Sequence, residues 1–237
     1  MIIKKSIADD TLPTLTGEDL ALINRYSMTE LTADDVFVFA IRLCDNALDR
    51  DFECFTVESL NKLAELFVGK PGIFDHAWSA QGQVARVFKT EVVCDAAAGK
   101  AALRNEVYTY LKGYAYILRT PDTENVIAQI KGGILKEVSV GCAIGKSTCC
   151  ICGENAFECM HIRGKYYDDN LCFFVLEDPI DAYEWSFVAV PAQPNAGVTK
   201  SLETGSGPDS PPADTVSAKY TDDDLVIIEK LRYGGIF

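Results

Sequence analysis

Apolar positions along this chain come in short runs whose spacing keeps changing, and the changes mark the elements. Residues 36–41, Val-Phe-Val-Phe-Ala-Ile, are continuously apolar and predict a buried strand. Residues 45–51 are turn-rich, and 52–55 make a second short extended piece. From Thr56 the spacing becomes helical, with Leu60, Leu63, Ala64 and Phe67 on one face. Thr56 is the expected N-cap, and Gly69 with Pro71 ends the helix. The loop that follows carries His76. Residues 83–93 and 105–118 read as strands. A second helix is expected from Thr120-Pro121, with proline at its first position, an apolar face of Val126, Ile127 and Ile130, and a stop at Gly132-Gly133. Residues 135–142 are extended, a cysteine-rich stretch interrupts, and strand patterns resume at 171–176 and 185–190.

The ends of the chain look different. Residues 1–34 are polar and irregular. Beyond Lys200 the chain turns rich in Gly, Ser, Pro and Asp, which predicts a flexible linker. Asp222, Asp223 and Asp224 then precede a short amphipathic helix at 225–231, where acidic residues suit a helix start. The expected organisation is an N-terminal segment (1–34), one domain (35–200) with an insert at 149–161, a linker (201–219) and a short helical tail (220–237). Many strands and few helices make the fold class β-rich α+β.

Composition narrows the function. Apolar residues form 48% of the chain, enough for a sizeable core, yet no apolar run approaches the roughly 18 residues of a membrane helix. The first residues lack the apolar stretch of a secretory signal. No membrane partner is therefore expected. Lys and Arg number 22 against 35 Asp and Glu, a net charge of −13, which argues against a nucleic-acid partner. Nine cysteines, an odd number clustered beside a histidine, fit a reducing compartment and a metal site better than a disulfide framework.

That cluster is Cys149-x-x-Cys152 followed by Cys159-x-His161. Three thiolates and an imidazole in a compact hairpin are the donor set of a closed, four-coordinate structural Zn²⁺ site. Buried inert thiols or a redox pair are the alternatives, and Cys150 is a competing ligand. Cys44, Cys54, Cys94 and Cys172 are expected in the core.

The chain has only two histidines, so assigning His161 to metal leaves His76 as the sole free imidazole for general-base chemistry. Ser139 is the best candidate nucleophile. It shares a strand face with Gly141, while Val138, Val140 and Cys142 take the other face. Glu184, an acid entering an apolar strand, is costly there unless paired, and an imidazole would pair it. On spacing alone His76 also fits a loop residue and Ser139 a solvent-facing strand position. Asp75, Asp178 and Asp181 rival Glu184 as the orienting acid.

These residues carry a resemblance. Gly69-Lys-Pro-Gly-Ile-Phe-Asp-His76 resembles the histidine motif of tailed-bacteriophage prohead proteases, and Glu137-Val-Ser139-Val-Gly141 their nucleophile motif. Residues 184–196, Glu-Trp-Ser-Phe-Val-Ala-Val-Pro-Ala-Gln-Pro-Asn-Ala, are similar to a third segment, E-x-S-x-V-x-x-P-A-x-P-x-A. The motifs occur in the family's order and span roughly residues 35–200. The resemblance implies a herpesvirus-assemblin-like, small, mostly antiparallel β-barrel wrapped by helices, here with an inserted zinc knuckle. It also implies a capsid-maturation serine endopeptidase with Ser139 as nucleophile, His76 as base and an acid, taken as Glu184, as third member.

Its implied substrates are the major capsid protein, the scaffold protein and the protease itself, inside the immature prohead in the host cytoplasm. Self-cleavage is expected within 201–219, and a homodimer is compatible with that fold. Two other readings compete. One is a non-catalytic, zinc-stabilised capsid assembly or scaffolding protein, which would not need the His76–Ser139 pair. The other is a cysteine hydrolase using Cys142 or Cys150 with His76.

Overall fold

A computed structural model describes residues 15–101 and 106–202 of the 237-residue chain. The chain divides into two units, Met1–Gly205 and Ser206–Phe237, and every described residue belongs to the first. The expected tail helix at 225–231 and nearly all of the expected linker lie outside the described residues.

The fold is mixed α+β and strand-rich. In chain order it runs α1 (Gly17–Asn24), β1 (Val36–Asp45), β2 (Glu53–Phe55), α2 (Val57–Phe67), β3 (Pro71–Phe74), β4 (Ala85–Cys94), β5 (Lys100–Ala101), β6 (Glu106–Val107) and β7 (Thr109–Leu118). It continues with α3 (Glu124–Lys131), β8 (Val138–Cys149), β9 (Tyr166–Tyr167), β10 (Asn170–Leu171), β11 (Phe174–Phe187) and β12 (Gly197–Leu202). The main sheet has the order β12-β1-β7-β4-β3-β11-β2, with β8 pairing antiparallel to β11. Strand β11 pairs parallel with β2 near its start and with β3 near its end.

Among the described residues no closed barrel forms. The two ends of the curled sheet meet at a single bridge, Glu137 to Gly197, flanked by Val138 N–H to the Ala196 carbonyl (3.4 Å) and Val198 N–H to the Lys136 carbonyl (2.7 Å). Beyond that bridge β8 and the segment leading into β12 part, leaving a seam.

The apolar run of β1 is continuous because both of its faces are covered. Phe37, Phe39 and Ile41 join the main core with Leu60, Leu63, Phe67, Trp185 and Phe187. Val36 and Val38 face a smaller cluster with Ile23 and Phe88. Helix α2 matches its expected face: Leu60, Leu63 and Phe67 are buried. The Thr56 hydroxyl accepts from Ser59 N–H (3.0 Å), and the Ser59 hydroxyl donates to the Leu176 carbonyl (2.9 Å), tying the helix to β11.

Several expectations need correction. Residues 17–24, read as irregular, form α1; Thr16 and Asp19 make a reciprocal capping box, and Ile23 is fully buried. Helix α3 begins at Glu124 rather than at Pro121, because the Thr123 hydroxyl donates back to the Leu118 carbonyl (2.6 Å) and holds 120–123 as a turn. The supposed loop before His76 contains β3. The strands expected at 171–176 and 185–190 are joined through one long strand, β11, which crosses Asp178 and Pro179 with two register shifts opposite β8, while Leu171 belongs to β10 and residues 188–190 lie past the end of β11. Cys44, Cys54 and Cys172 are buried as expected, but Cys94, at the end of β4, is exposed.

Candidate active site and metal centre

Strands β8 and β11 build the first site. Their register pairs Ser139 with Ser186 and Gly141 with Glu184, so these four positions share one face. Val138, Val140 and Cys142 pair with Phe187, Trp185 and Ala182 on the other face, against the core. Ala182 and Glu184, two apart, would share a face in a regular strand. A bulge at Tyr183 breaks that alternation, sending Ala182 inward and Glu184 to the site.

The space beside Gly141 is not empty: a Cβ there would collide with the Glu184 carboxylate, which lies across the glycine. Gly72, paired with Trp185, is bare for a related reason, since a Cβ there would enter the indole ring. Both glycines exist to let a neighbouring strand's side chain lie flat.

His76 reaches this face from a tight turn after β3. The Ala77 N–H donates to the Phe74 carbonyl (2.9 Å), and both central residues, Asp75 and His76, have positive φ of 52°. Such a turn is of the type that requires left-handed backbone at both centres, and Asp and His tolerate it better than most residues. Asp75 N–H is anchored on the Phe187 carbonyl (3.0 Å). Trp78, in the following loop, packs on Tyr183 at the bulge (5.4 Å between ring centres).

The outcome is a hydrogen-bonded chain. His76 Nδ1 lies 2.7 Å from Glu184 Oε1, and the Ser186 hydroxyl donates to Glu184 Oε2 (2.6 Å). The His76 backbone N–H donates to the same Ser186 oxygen (3.0 Å). With the carboxylate ionised it only accepts, which makes Nδ1 the donor, and among the described residues no hydrogen bond reaches Nε2. The Glu184 side chain is 4% exposed and the His76 ring 41%. The buried acid is thus satisfied on both oxygens, while the imidazole keeps an open side. Among the described residues the Ser139 hydroxyl makes no hydrogen bond. Of the rival acids, Asp181 is paired with Lys70 (3.1 Å), and no contact joins Asp75 or Asp178 side chains to the imidazole.

Ser186 was not singled out from the sequence, although its E-x-S spacing on a strand puts it on the face of Glu184. Gln193 was also missed. Its buried amide accepts from Asp45 N–H (2.6 Å) and donates to the Asp45 carbonyl (3.0 Å), while Arg50 N–H donates to the Ala192 carbonyl (3.0 Å). The Pro-Ala segment is thereby pinned to the turn after β1. It forms one wall of a cleft of about 710 Å³, which Ser139 and Gly141 also line.

Cys142 faces the core side of β8. Burial above all, and then the Glu184 charge, push its thiol up to about 11, which leaves little thiolate near neutral pH. Cys150 is engaged elsewhere, donating to the Leu171 carbonyl (3.4 Å) and accepting from Phe173 N–H (3.2 Å).

The second site lies at the far end of β8. Cys149, Cys152, Cys159 and His161 each offer a ligand atom, all within 4.8 Å of one another. Cys152 and Cys159 sulfurs are 3.4 Å apart, and Cys159 Sγ is 3.3 Å from His161 Nδ1. At a zinc–sulfur distance near 2.3 Å, tetrahedral sulfurs sit about 3.8 Å apart, so the four donors fit one small tetrahedral ion. Local backbone shapes the set: Gly153 N–H donates to the Cys149 carbonyl (2.9 Å), and His161 N–H points at Cys159 Sγ (3.2 Å). Burial raises the Cys149 thiol, but the Cys152 and Ile151 N–H groups and the neighbouring thiols more than offset this, leaving it below its ordinary value.

No protein-family model, curated protein or solved structure matches this chain.

Proposed function

We propose that the chain is a serine endopeptidase in which Ser139 is the nucleophile, His76 the general base and Glu184 the orienting acid. The observation that carries this reading is the 2.7 Å contact between His76 Nδ1 and the buried Glu184 carboxylate, on the sheet face that Ser139 shares. A serine hydroxyl needs a positioned base, and the base needs a partner that fixes its tautomer and steadies its cation. In this reading Ser139 Oγ attacks the scissile carbonyl as Nε2 of His76 takes its proton. Glu184 then stabilises the imidazolium, which returns the proton to the leaving amine. Water releases the acyl-enzyme by the same route. Ser186 acts as a positioning residue, holding Glu184 and the His76 backbone together.

The substrates of this reading are capsid and scaffold polypeptides of a maturing phage prohead. The resemblance and order of the three motifs support it, and the bridge from Glu137 to Gly197 supports an assemblin-like barrel left open along one seam. The hairpin ligands take zinc in a structural role, since four protein donors leave no open position. A metal-stabilised assembly protein without turnover is the competing reading. It draws on the exposed Phe157, Met160, Ile162 and Tyr166 in and beside the hairpin.

The deciding experiment is intact-mass analysis of the wild-type chain and of Ser139→Ala, each incubated with cognate capsid and scaffold proteins assembled as proheads. Defined fragments from wild type alone are expected. Equal fragmentation by both removes Ser139 from the mechanism, and none from either favours the assembly reading.

A further inference from the structure

Strand β8 has two edges, and only one is used along its whole length. The inner edge pairs with β11 throughout. The outer edge is tied at its two ends: at the start by the Glu137–Gly197 bridge, and at the finish by the bridge of Thr148 to Asn155. There Ala156 N–H donates to the Ser147 carbonyl (2.8 Å) and Cys149 N–H to the Glu154 carbonyl (2.9 Å). Between these ties, residues 139–146 pair on this side with no strand among the described residues.

The cleft follows this vacancy. It is lined by Ser139, Val140, Gly141 and Cys142 in succession, then by Ile144 and Gly145. Successive strand residues point to opposite faces, so a cavity touching all of them reaches the backbone edge of β8; it also touches Phe174 and Leu176 of β11 and Glu53 and Phe55 of β2, and so extends from that edge across the inner face of the sheet. From Ser139 to Ser147 this edge spans about 26 Å at roughly 3.3 Å per residue. An open edge of this kind is a template for another strand, and natural proteins normally block it.

The far end of the cleft belongs to the metal hairpin. Ala156 and Phe157 line it, yet the Phe157 side chain is 93% exposed. Phe157 is held one turn from a ligand: its N–H donates to Asn155 Oδ1 (2.9 Å), and Cys159 N–H donates to the Asn155 carbonyl (3.0 Å). Just beyond His161, Arg163 is ion-paired with Glu53 on the opposite cleft wall, clipping the hairpin across.

We propose that the metal hairpin is the distal subsite of a strand-shaped substrate cleft. An extended polypeptide adds to the open edge of β8, starting at Ser139, and the metal holds Phe157 to meet an apolar side chain about eight residues from the bond to be cut. Main-chain hydrogen bonds to the edge supply affinity, and the Phe157 contact supplies selection. The inference rests on the endopeptidase reading for the direction of the chemistry, but its own content is binding.

The test uses metal-loaded Ser139→Ala chain and a mass-resolved library of random decapeptides. Retained peptides should be depleted in proline over the pairing stretch and enriched in an apolar residue toward one end. Their binding should slow amide hydrogen exchange at residues 140–146. Adding Phe157→Ala, or removing the metal by chelation, should weaken the retained peptides at least tenfold. Because Phe157 is exposed, its replacement should leave the circular dichroism spectrum unaltered. Retention of no peptide overturns the proposal, as does undiminished affinity in both Phe157→Ala and the chelated protein. The two readings fail separately. Phe157-dependent binding by a chain whose wild type cuts nothing overturns the endopeptidase and keeps the cleft. Ser139-dependent cleavage with binding indifferent to Phe157 does the reverse.

Discussion

The two sites at opposite ends of β8 are assembled in opposite ways. The metal hairpin draws its four donors from residues 149–161, and its shape comes from a few local hydrogen bonds. The His76 site draws on partners 108 and 110 residues apart, and it exists only because β3, β11 and β8 lie side by side in one register. In the proposed reading the first is held by a bound metal more than by a core, its four donors lying close enough together to share one ion. The second is held by Trp185 and Phe187 on the opposite face of the same strands. Disturbing the sheet should therefore damage only the second site's chemistry, and disturbing the metal only the first site's order.

The largest effect expected from that contrast is Glu184→Gln. The amide keeps the size of the side chain but can present a donor to Nδ1 and so favour the wrong tautomer. Cleavage rate should fall about 10³- to 10⁴-fold, read as kcat on a capsid or scaffold substrate. A fall below tenfold would mean that Glu184 does not orient the base. Next comes Gly141→Ala, whose new methyl must displace the Glu184 carboxylate. It should cost about 100-fold in kcat while metal content stays that of the unsubstituted chain. Full activity in this variant would contradict the carboxylate's observed position.

Asp49 lies on the wall of the cleft, and its carboxylate accepts from the Asp51 and Glu53 N–H groups (2.8 Å each). Burial above all pushes it from its ordinary 3.8 up to about 7, aided by the Glu53 and Asp51 charges and opposed by those N–H groups. A carboxyl raised in the folded state favours folding below about pH 4, and that contribution is lost as pH rises through about 7. Asp49→Asn, which keeps an accepting oxygen, should flatten this loss and stabilise the chain by about 2 kcal/mol at pH 8, measured by urea unfolding across pH. An unchanged pH slope would show that the carboxyl is not desolvated.

Chelation should have the smallest global effect. Hydrogen-exchange protection should collapse over residues 149–161, while the core strands β1, β7 and β11 keep theirs and Tm falls by less than about 5 °C. Cooperative loss of the whole sheet would mean the hairpin is part of the core rather than an attachment to it.

Legibility in the sequence follows the same local and non-local divide. Cys149, Cys152, Cys159 and His161 could be read as a set because ligand spacing in a hairpin is a local property. Helix α2 could be read from its cap and its apolar face for the same reason. The continuity of β11 could not: Asp178, Pro179 and Asp181 look like a break, and pairing with β8, through two register shifts, carries the strand through them, β2 and β3 pairing only with its two ends. Helix α1 was hidden because its eight residues bury little besides Ile23, so periodicity had almost nothing to register. Ser186 and Gln193 were overlooked because a polar residue's role depends on which backbone or acid it meets.

The sequence by itself determined the inventory: two histidines, a metal-ligand set, a serine and glycine on one strand face, an acid that needs a partner, and a strand-rich core. Those follow from side-chain chemistry and from the two- and 3.6-residue periods of regular backbone. Tertiary structure alone decided that the bulge at Tyr183 turns Glu184 toward His76, that Gly141 makes room for that carboxylate, and that, among the described residues, the outer edge of β8 stays unpaired from Ser139 up to the cysteine hairpin. These depend on register and on packing between separate strands, up to 108 residues apart for His76 and Glu184, which no local pattern encodes.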